Sequence, residues 1–269
     1  MGLGLTLAQI IQPLKNARLG VLALLANFVL VPLLAYGITL IIPLEESLKI
    51  GLIVLATCAG APFLILEARA AKASLAVSVG VMTLLMVVTI FYLPVVLPLL
   101  LTGVEVDAGA IAQSLIVLML IPLILGLLVK SNSPETAQHW MPVMNKIGSL
   151  GIMILLVVGL GLNISSVLSL IGTRGFLALL IFIAGTLLLG MAIGGRDPKV
   201  RNVTGLGTAQ RNVTAALVVA LGNFGDTNTT PFVLVAAILI PLILLPTARW
   251  LGSRQGEAAA PAAPAPEGS

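Results

Sequence analysis

Long runs without charged residues constrain the fold of this chain more than any other feature. A helix needs about 20 residues to cross a hydrocarbon core. Seven charge-free runs meet or approach that length, and an eighth is interrupted only by Arg211. The runs are 19–44, 50–66, 75–102, 108–129, 147–173, 175–195 and 227–248, and the interrupted run is 202–225. They are too long and too apolar for barrel strands, so we predict an all-α, multi-pass membrane protein with eight transmembrane helices.

The composition excludes a soluble enzyme. Only 9% of the 269 residues are charged and 59% are hydrophobic, whereas a soluble domain has about a quarter of its residues charged. The 4% aromatic content offers no base-stacking surface, so we expect no nucleic-acid partner. Cys58 is the single cysteine and His139 the single histidine. Zinc sites usually take several ligands of these two types, so we expect no zinc site. We expect no cofactor and no other metal, and we leave sodium open.

Basic residues alternate between the two sides of the predicted bundle in a strongly unequal way. One side carries eleven: Lys15, Arg18, Arg69, Lys72, Lys130, Lys146, Arg196, Lys199, Arg201, Arg249 and Arg254. The other side carries two, Lys49 and Arg174. The positive-inside rule then places both termini in the cytoplasm and the protein in the cell membrane. Residues 134–146 are predicted to be a cytoplasmic linker.

Two predicted spans contain helix-breaking residues, at 56–62 and at 205–212. Pro62 removes a backbone donor, and the glycines allow the chain to unwind. The two three-helix units that contain these breaks lie five spans apart, so the second is upside down relative to the first. This arrangement is typical of an inverted repeat with a binding site where broken helices meet.

The repeat assignment divides the chain into four parts. We expect the end of an incomplete peripheral helix at 1–16, three core helices of the first repeat at 17–102, five helices of the second repeat at 103–253, and a disordered tail at 254–269. On this division the first repeat lacks two helices at the N-terminus, which we interpret as a truncated reading frame or a reduced variant.

Four segments in this order and spacing resemble the bile acid:sodium symporter family of secondary carriers: 1–7, 27–32, 55–72 and 205–212. The resemblance implies two inverted five-helix repeats, with broken helices crossing in a core that moves against a panel domain. It also implies organic anions as substrates, usually taken up with sodium. Partners would then be a small organic anion and membrane lipid, and a homodimer is compatible with the sequence.

The resemblance also shows where this chain departs from the family. The family's sodium-binding carboxylate falls at Gly207, and its carboxamide one turn later falls at Arg211. Its hydroxyl and amide ligands on the first broken helix fall at Leu64 and Ile65. An amide remains at Asn27, and Thr83 is the hydroxyl that remains nearby. Most sodium-binding oxygens are therefore replaced.

Arg211 is the most informative residue. It lies ten positions beyond Arg201, which at about 1.5 Å per residue is about 15 Å along the span. This depth is close to the middle of a hydrocarbon core about 30 Å thick. Such arginines almost always face a cavity or a partner. One interpretation is purely structural: carbonyls of the broken helix neutralise the arginine, and it contributes only to packing. Our hypothesis is a fixed cation that takes the place of sodium, with Asn27, Thr208, Gln210 and Asn212 as polar neighbours. The predicted substrate-binding residues are Asn27, Gly60, Pro62, Gly207, Thr208, Gln210, Arg211 and Asn212.

Glu67 and Thr83 are the predicted coupling residues. Glu67 has two interpretations: a carboxylate at the cytoplasmic interface that pairs with Arg69 or Lys72, or a proton-coupling group exposed alternately to each side. Asp107, Asp197 and Asp226 lie in predicted loops and no hydrolase motif occurs, so we expect no enzyme. A sodium- or proton-coupled symporter of the same fold, a channel and a non-transporting membrane protein remain alternatives.

Overall fold

The structure is a computed structural model that describes residues 17–101, 106–225 and 227–258, together with the single residue Leu3. Within these ranges every regular element is a helix. In chain order the helices are α1 (Ala17–Ile41), α2 (Glu46–Thr57), α3 (Leu64–Ala70), α4 (Leu75–Leu100), α5 (Ala108–Asn132), α6 (Pro134–Leu162), α7 (Ile164–Leu170), α8 (Arg174–Ile193), α9 (Pro198–Ala209), α10 (Val213–Phe224) and α11 (Thr229–Ala258).

Five of these helices are long and apolar enough to cross a membrane: α1, α4, α5, α8 and α11. The predicted spans 50–66 and 202–225 correspond to the broken pairs α2–α3 and α9–α10. The predicted span 147–173 falls on α6 and α7. The all-α fold is confirmed for the described residues, while the count of eight spans and the inverted repeat stay predictions.

Two predicted boundaries differ from the structure. Residues 134–146, predicted to be a linker, form the first part of α6, where Pro134 occupies the first turn. Proline is favoured there because its missing N–H has no helical partner at that position. Helix α11 continues to Ala258, so the first residues of the predicted tail are helical. Residues 259–269 lie outside the described part of the chain, as does the predicted helix end at 1–16 apart from Leu3.

Four helices form the core together with the two broken helices. Helices α1, α4, α8 and α11 pack with α2–α3 and α9–α10 and share one hydrophobic cluster. Its fully buried large side chains include Leu55 of α2, Leu93 of α4 and Phe182 of α8. Helices α5 and α6 lie at the periphery, where α6 packs on α5 and α11. The core therefore surrounds the breaks, and α6 flanks them from one side.

Glycines allow α8 and α9 to approach each other closely. A Cβ atom on Gly205 would lie 2.6 Å from Cγ of Met191, which is closer than carbon atoms can pack. A Cβ on Gly190 would collide with the carbonyl oxygen of Thr204. Gly205 is helical, so its role is packing rather than the unwinding that the sequence suggested.

Helix α1 contains a π-helical turn, Ala26–Leu30, which ends two residues before Pro32. Pro32 has no N–H to donate to the carbonyl of Phe28 four residues earlier. The hydroxyl of Tyr92 on α4 donates to that carbonyl instead, at 2.7 Å. The same turn buries the side chain of Asn27, and so directs an amide into the core.

Candidate functional site

The two helix breaks meet and are hydrogen-bonded to each other. The first break covers residues 58–63 and the second covers residues 210–212. The backbone N–H of Asn212 donates to the carbonyl of Cys58 at 3.0 Å, and its Nδ2 donates to the carbonyl of Gly60 at 3.2 Å. Its Oδ1 accepts from the N–H of Ala215 at 3.1 Å, which caps α10. One side chain therefore closes the crossing and starts the next helix.

The first break is held from α4 by a residue that the sequence did not single out. The hydroxyl of Thr89 donates to the carbonyl of Ala59 at 3.0 Å and accepts from its N–H at 3.1 Å. Gly60 has φ +79° and lies against the backbone of Met86. Nothing in the sequence distinguishes Thr89 from the other hydroxyl residues of α4, because its partners are main-chain atoms.

Arg211 lies at the crossing, and its side chain is fully buried with 0% exposure. Nε donates to the carbonyl of Leu55 at 3.1 Å and Nη2 to that of Ala56 at 2.7 Å. Nη1 donates to Oδ1 of Asn27 at 2.7 Å and to the carbonyl of Thr208 at 3.0 Å. The guanidinium thus binds α1, α2 and α9 through four oxygen atoms.

The position of these acceptors explains why a cation is stable there. Leu55 and Ala56 lie in the last turn of α2, and Thr208 lies in the last turn of α9. Carbonyls in a last helical turn have no partner within the helix, and the C-terminal end carries a partial negative charge. Two such helix ends meet at the guanidinium. Its N–H groups bond to their carbonyl oxygens, and its positive charge balances their partial negative charge.

The predicted polar neighbours of Arg211 are confirmed in part. Asn27 contacts the guanidinium through its side chain and Thr208 contacts it through its carbonyl. Gln210 and Asn212 form their hydrogen bonds to groups other than the guanidinium. Nε2 of Gln210 donates to the main-chain carbonyl of Arg211 at 3.4 Å, and Asn212 bonds to Gly60 and Ala215. The carbonyls of α2 take their place, and main-chain acceptors leave no signature in a sequence.

Gly207 leaves no side chain where the resemblance places a carboxylate. A Cβ atom there would lie 2.9 Å from Cδ2 of Leu64, so Leu64 fills the space beside α9. Ile65, the neighbouring position, is half-buried. Aliphatic carbon therefore occupies the positions where the resemblance implies oxygen ligands.

A cavity of about 690 Å³ lies beside the crossing, between the core and α6. The polar residues in its wall are Gln210, Arg211 and Asn212 from the second break, Arg69 from α3, Thr214 from α10, and Asn145 and Ser149 from α6. Apolar residues such as Phe63, Leu66 and Leu217 complete the wall. Arg69 is exposed, whereas the side chain of Arg211 is fully buried. Oε1 of Gln210 is buried without a hydrogen-bond partner.

Of the predicted site residues, Pro62, Gln210, Arg211 and Asn212 line this cavity. Thr83 is buried, and its hydroxyl donates to the carbonyl of Val79 in the same helix at 2.8 Å. Glu67 is fully buried, and neither of its carboxylate oxygens has a hydrogen-bond partner. The interfacial pairing of Glu67 with Arg69 or Lys72 is therefore wrong, because the carboxylate faces into the core while both cations are exposed.

Comparison with known proteins decides the family. The family model described as "Sodium Bile acid symporter family" matches residues 1–170, which is more than half of the chain. The chain belongs to the sodium bile acid symporter family. The matched range contains the first break and ends before α8, so Arg211 and the second break lie beyond it.

Two curated proteins are similar to this chain. Over 147 residues it is 28% identical to the uncharacterized sodium-dependent transporter YocS of Bacillus subtilis (strain 168), covering 52% of this chain and 44% of that protein. Over 152 residues it is 29% identical to the probable sodium/metabolite cotransporter BASS2, chloroplastic, of Oryza sativa subsp. japonica, covering 56% of this chain and 36% of that protein. The matches thus span less than half the length of either relative.

Proposed function

We propose that this protein is a secondary transporter of small organic anions in the cell membrane, and that it works without sodium. The proposal rests on the family, whose members are transporters, and on the chemistry of the crossing. The single observation that carries it is the fully buried guanidinium of Arg211, bonded to four oxygen atoms from three helices.

The oxygen atoms at the crossing do not fit a sodium ion in addition to this guanidinium. Sodium needs several oxygen ligands, and the carbonyls of Leu55, Ala56 and Thr208 already accept from Arg211. A second cation at about 4 Å would also be repelled by about 4 kcal/mol at an effective dielectric constant near 20. We therefore interpret Arg211 as a covalently attached substitute for the coupling cation.

The cavity beside the crossing is the proposed substrate site. Its volume of about 690 Å³ is within the range of about 300–1,000 Å³ that small-molecule sites occupy. Arg69 is the exposed cation in its wall, and its guanidinium matches a carboxylate or sulfonate. Arg211 is part of this wall, but its side chain is fully buried, so it contributes positive charge without direct contact to the solute. The apolar residues suit an organic body. Direct contact between Arg211 and the anion, which the sequence suggested, has no support from the buried position of its side chain.

A comparison of sodium with choline tests the proposal. We expect the melting temperature of the purified full chain to be the same in sodium chloride and in choline chloride at equal ionic strength, because no sodium ion binds. In proteoliposomes, uptake of labelled succinate or taurocholate should likewise not depend on a sodium gradient. A melting temperature that rises selectively with sodium, or uptake that requires sodium, would favour the alternative of a sodium-coupled symporter.

Two variants refine this test. The variant R69Q should weaken the protection that the anion gives against thermal unfolding, because it removes the exposed cation of the cavity. The matched control is Arg201→Gln, which removes an exposed arginine from the start of α9, outside the cavity wall. Equal anion protection in both variants would exclude Arg69 from the substrate site.

A further inference from the structure

Glu67 is a buried acid that the proposed mechanism does not yet use. Its side chain has 0% exposure, and Oε1 and Oε2 both lack a hydrogen-bond partner. The one ion pair among the described residues joins Lys49 to Glu46 on α2. An ionised carboxylate that is buried without a partner is strongly unfavourable. The burial of Glu67 therefore favours its neutral, protonated form.

The helices around Glu67 supply no compensating charge. Helix α3 packs against α4, α9 and α11. Helix α4 contains no charged residue, and its one tyrosine, Tyr92, donates its hydroxyl to Phe28. The charged side chains described on the other two helices are all exposed: Lys199 and Arg201 on α9, and Arg249 and Arg254 on α11. Arg69 on α3 and Lys72 after it are also exposed, and none of these cations forms an ion pair or a hydrogen bond with Glu67 among the described residues.

The position of α3 connects this acid to both proposed binding regions. The helix begins directly after the first break, and Ile65, Leu66 and Arg69 from it line the cavity. Leu64 of the same helix contacts Gly207 of α9, one turn before Arg211. Glu67 itself is absent from the cavity wall and lies on the core side of α3. A movement of α3 relative to the core would thus change both the cavity and the surroundings of the acid.

We propose that Glu67 is a proton-binding site and that a proton replaces sodium as the coupling ion of this carrier. In the state described here Glu67 is protonated and closed to water, and in the alternate state its carboxylate is hydrated and releases the proton. Ionisable residues within membrane helices commonly form such proton relays. The proposal rests on the sodium-independent transport proposed above.

Infrared spectroscopy of the full chain in lipid tests this without any substrate. We expect the C=O stretching band of a protonated carboxylic acid in mildly acidic buffer and its loss in mildly alkaline buffer. The band should be absent from E67Q and shifted in E67D. It should be unchanged in Glu135→Gln, which removes an exposed carboxylate on α6. A band that stays in E67Q, or one that does not change with pH, would overturn the proposal, and the latter would indicate a purely structural acid.

Chemical labelling gives a second readout. A hydrophobic carbodiimide adds across the O–H of a protonated carboxyl group, with no leaving group, and the adduct is located by peptide mass spectrometry. Modification of Glu67 should be strong at acidic pH and lost at alkaline pH, and no modification at any pH would argue against the site. The sodium and choline comparison on the same preparation separates the two proposals. Sodium-selective stabilisation together with a titrating Glu67 refutes the proposed sodium-independent function and the coupling role of the proton, but leaves Glu67 as a proton-binding site. A sodium-insensitive protein whose Glu67 does not titrate refutes the proton site alone.

Discussion

Among single residues, Arg211 shows how a charge becomes tolerable in an apolar core. An arginine at the centre of a bilayer is unfavourable by about 2.5–3.5 kcal/mol on insertion scales. Here four hydrogen bonds to oxygen atoms offset that penalty. The same contacts make Arg211 necessary, because three of the acceptors are backbone carbonyls that no mutation can remove.

Replacing Arg211 should therefore destabilise the protein. The variant Arg211→Met removes the guanidinium donor from the carbonyls of Ala56 and Thr208 and from Oδ1 of Asn27, whereas the carbonyl of Leu55 keeps the N–H of Cys58. Each buried acceptor left without a donor is unfavourable by about 1–3 kcal/mol, so we expect the free energy of unfolding to fall by roughly 3 kcal/mol or more. The control is Arg201→Met, because Arg201 and Arg211 both begin an Arg-Asn-Val-Thr sequence but Arg201 is exposed. Thermal unfolding in detergent measures both, and equal melting temperatures would show that the bonds of Arg211 contribute nothing.

The sequence could predict the place of Arg211 but not its ligands. A lone charge in a long apolar run indicates a buried functional group, and the neighbouring break indicates a crossing. The ligands come from Leu55 and Ala56, whose side chains have no bearing on the bond. Glu67 illustrates the same limit, because only the packing of α3 against three helices distinguishes a buried acid from an interfacial one.

Among the elements, the two broken helices were predicted with unequal success. Gly60 and Pro62 lie in the first break, as the sequence indicated. The second break is shorter than predicted, because α9 continues to Ala209 and only residues 210–212 are unwound. A glycine needed for close packing and a glycine needed for unwinding look the same in a sequence, and Gly205 and Gly207 belong to the first kind.

Substitution of Gly60 tests the geometry of the first break. Gly60→Ala places an L-residue at φ +79° and a Cβ atom into the backbone of Met86. A left-handed conformation is unfavourable by about 1–2 kcal/mol for alanine, and overpacking adds about 1–3 kcal/mol. Gly172→Ala is the control, because Gly172 has the same φ but nothing within 4 Å of its Cβ position. We expect a clearly larger loss of melting temperature for Gly60→Ala, and equal losses would contradict the contact with α4.

At the scale of the whole molecule, the helical bundle has two ends, and the distribution of basic residues assigns them to opposite sides of the membrane. Ala70, next to Arg69, packs against Gly252 of α11, and both lie at the end predicted to be cytoplasmic. Ser169 and Arg174 line a cavity with Glu45 at the other end. The imbalance of lysine and arginine predicted this division, but the structure contains no membrane, so the orientation stays a prediction.

Cysteine labelling in intact cells tests the orientation. Cys58 is the single native cysteine and has 0% exposure, so the chain without an added cysteine should not react with a thiol reagent. We expect Ser169→Cys to react with a membrane-impermeant thiol reagent in intact cells, and Ser253→Cys to react only after lysis. Both serines are exposed in the structure, which makes them a matched pair. The opposite labelling pattern would invert the topology, and labelling of both in intact cells would refute the assignment of the spans.

The covalent attachment of Arg211 to the chain also has an electrical consequence. A dissolved sodium ion travels with its solute and compensates its charge, whereas a guanidinium that belongs to α9 and its break stays behind. A monovalent anion that enters alone against an interior-negative voltage of 100 mV must overcome about 2.3 kcal/mol. At equal concentrations the voltage then drives the anion outward, and inward movement becomes electroneutral when a diffusible cation such as a proton accompanies each ion.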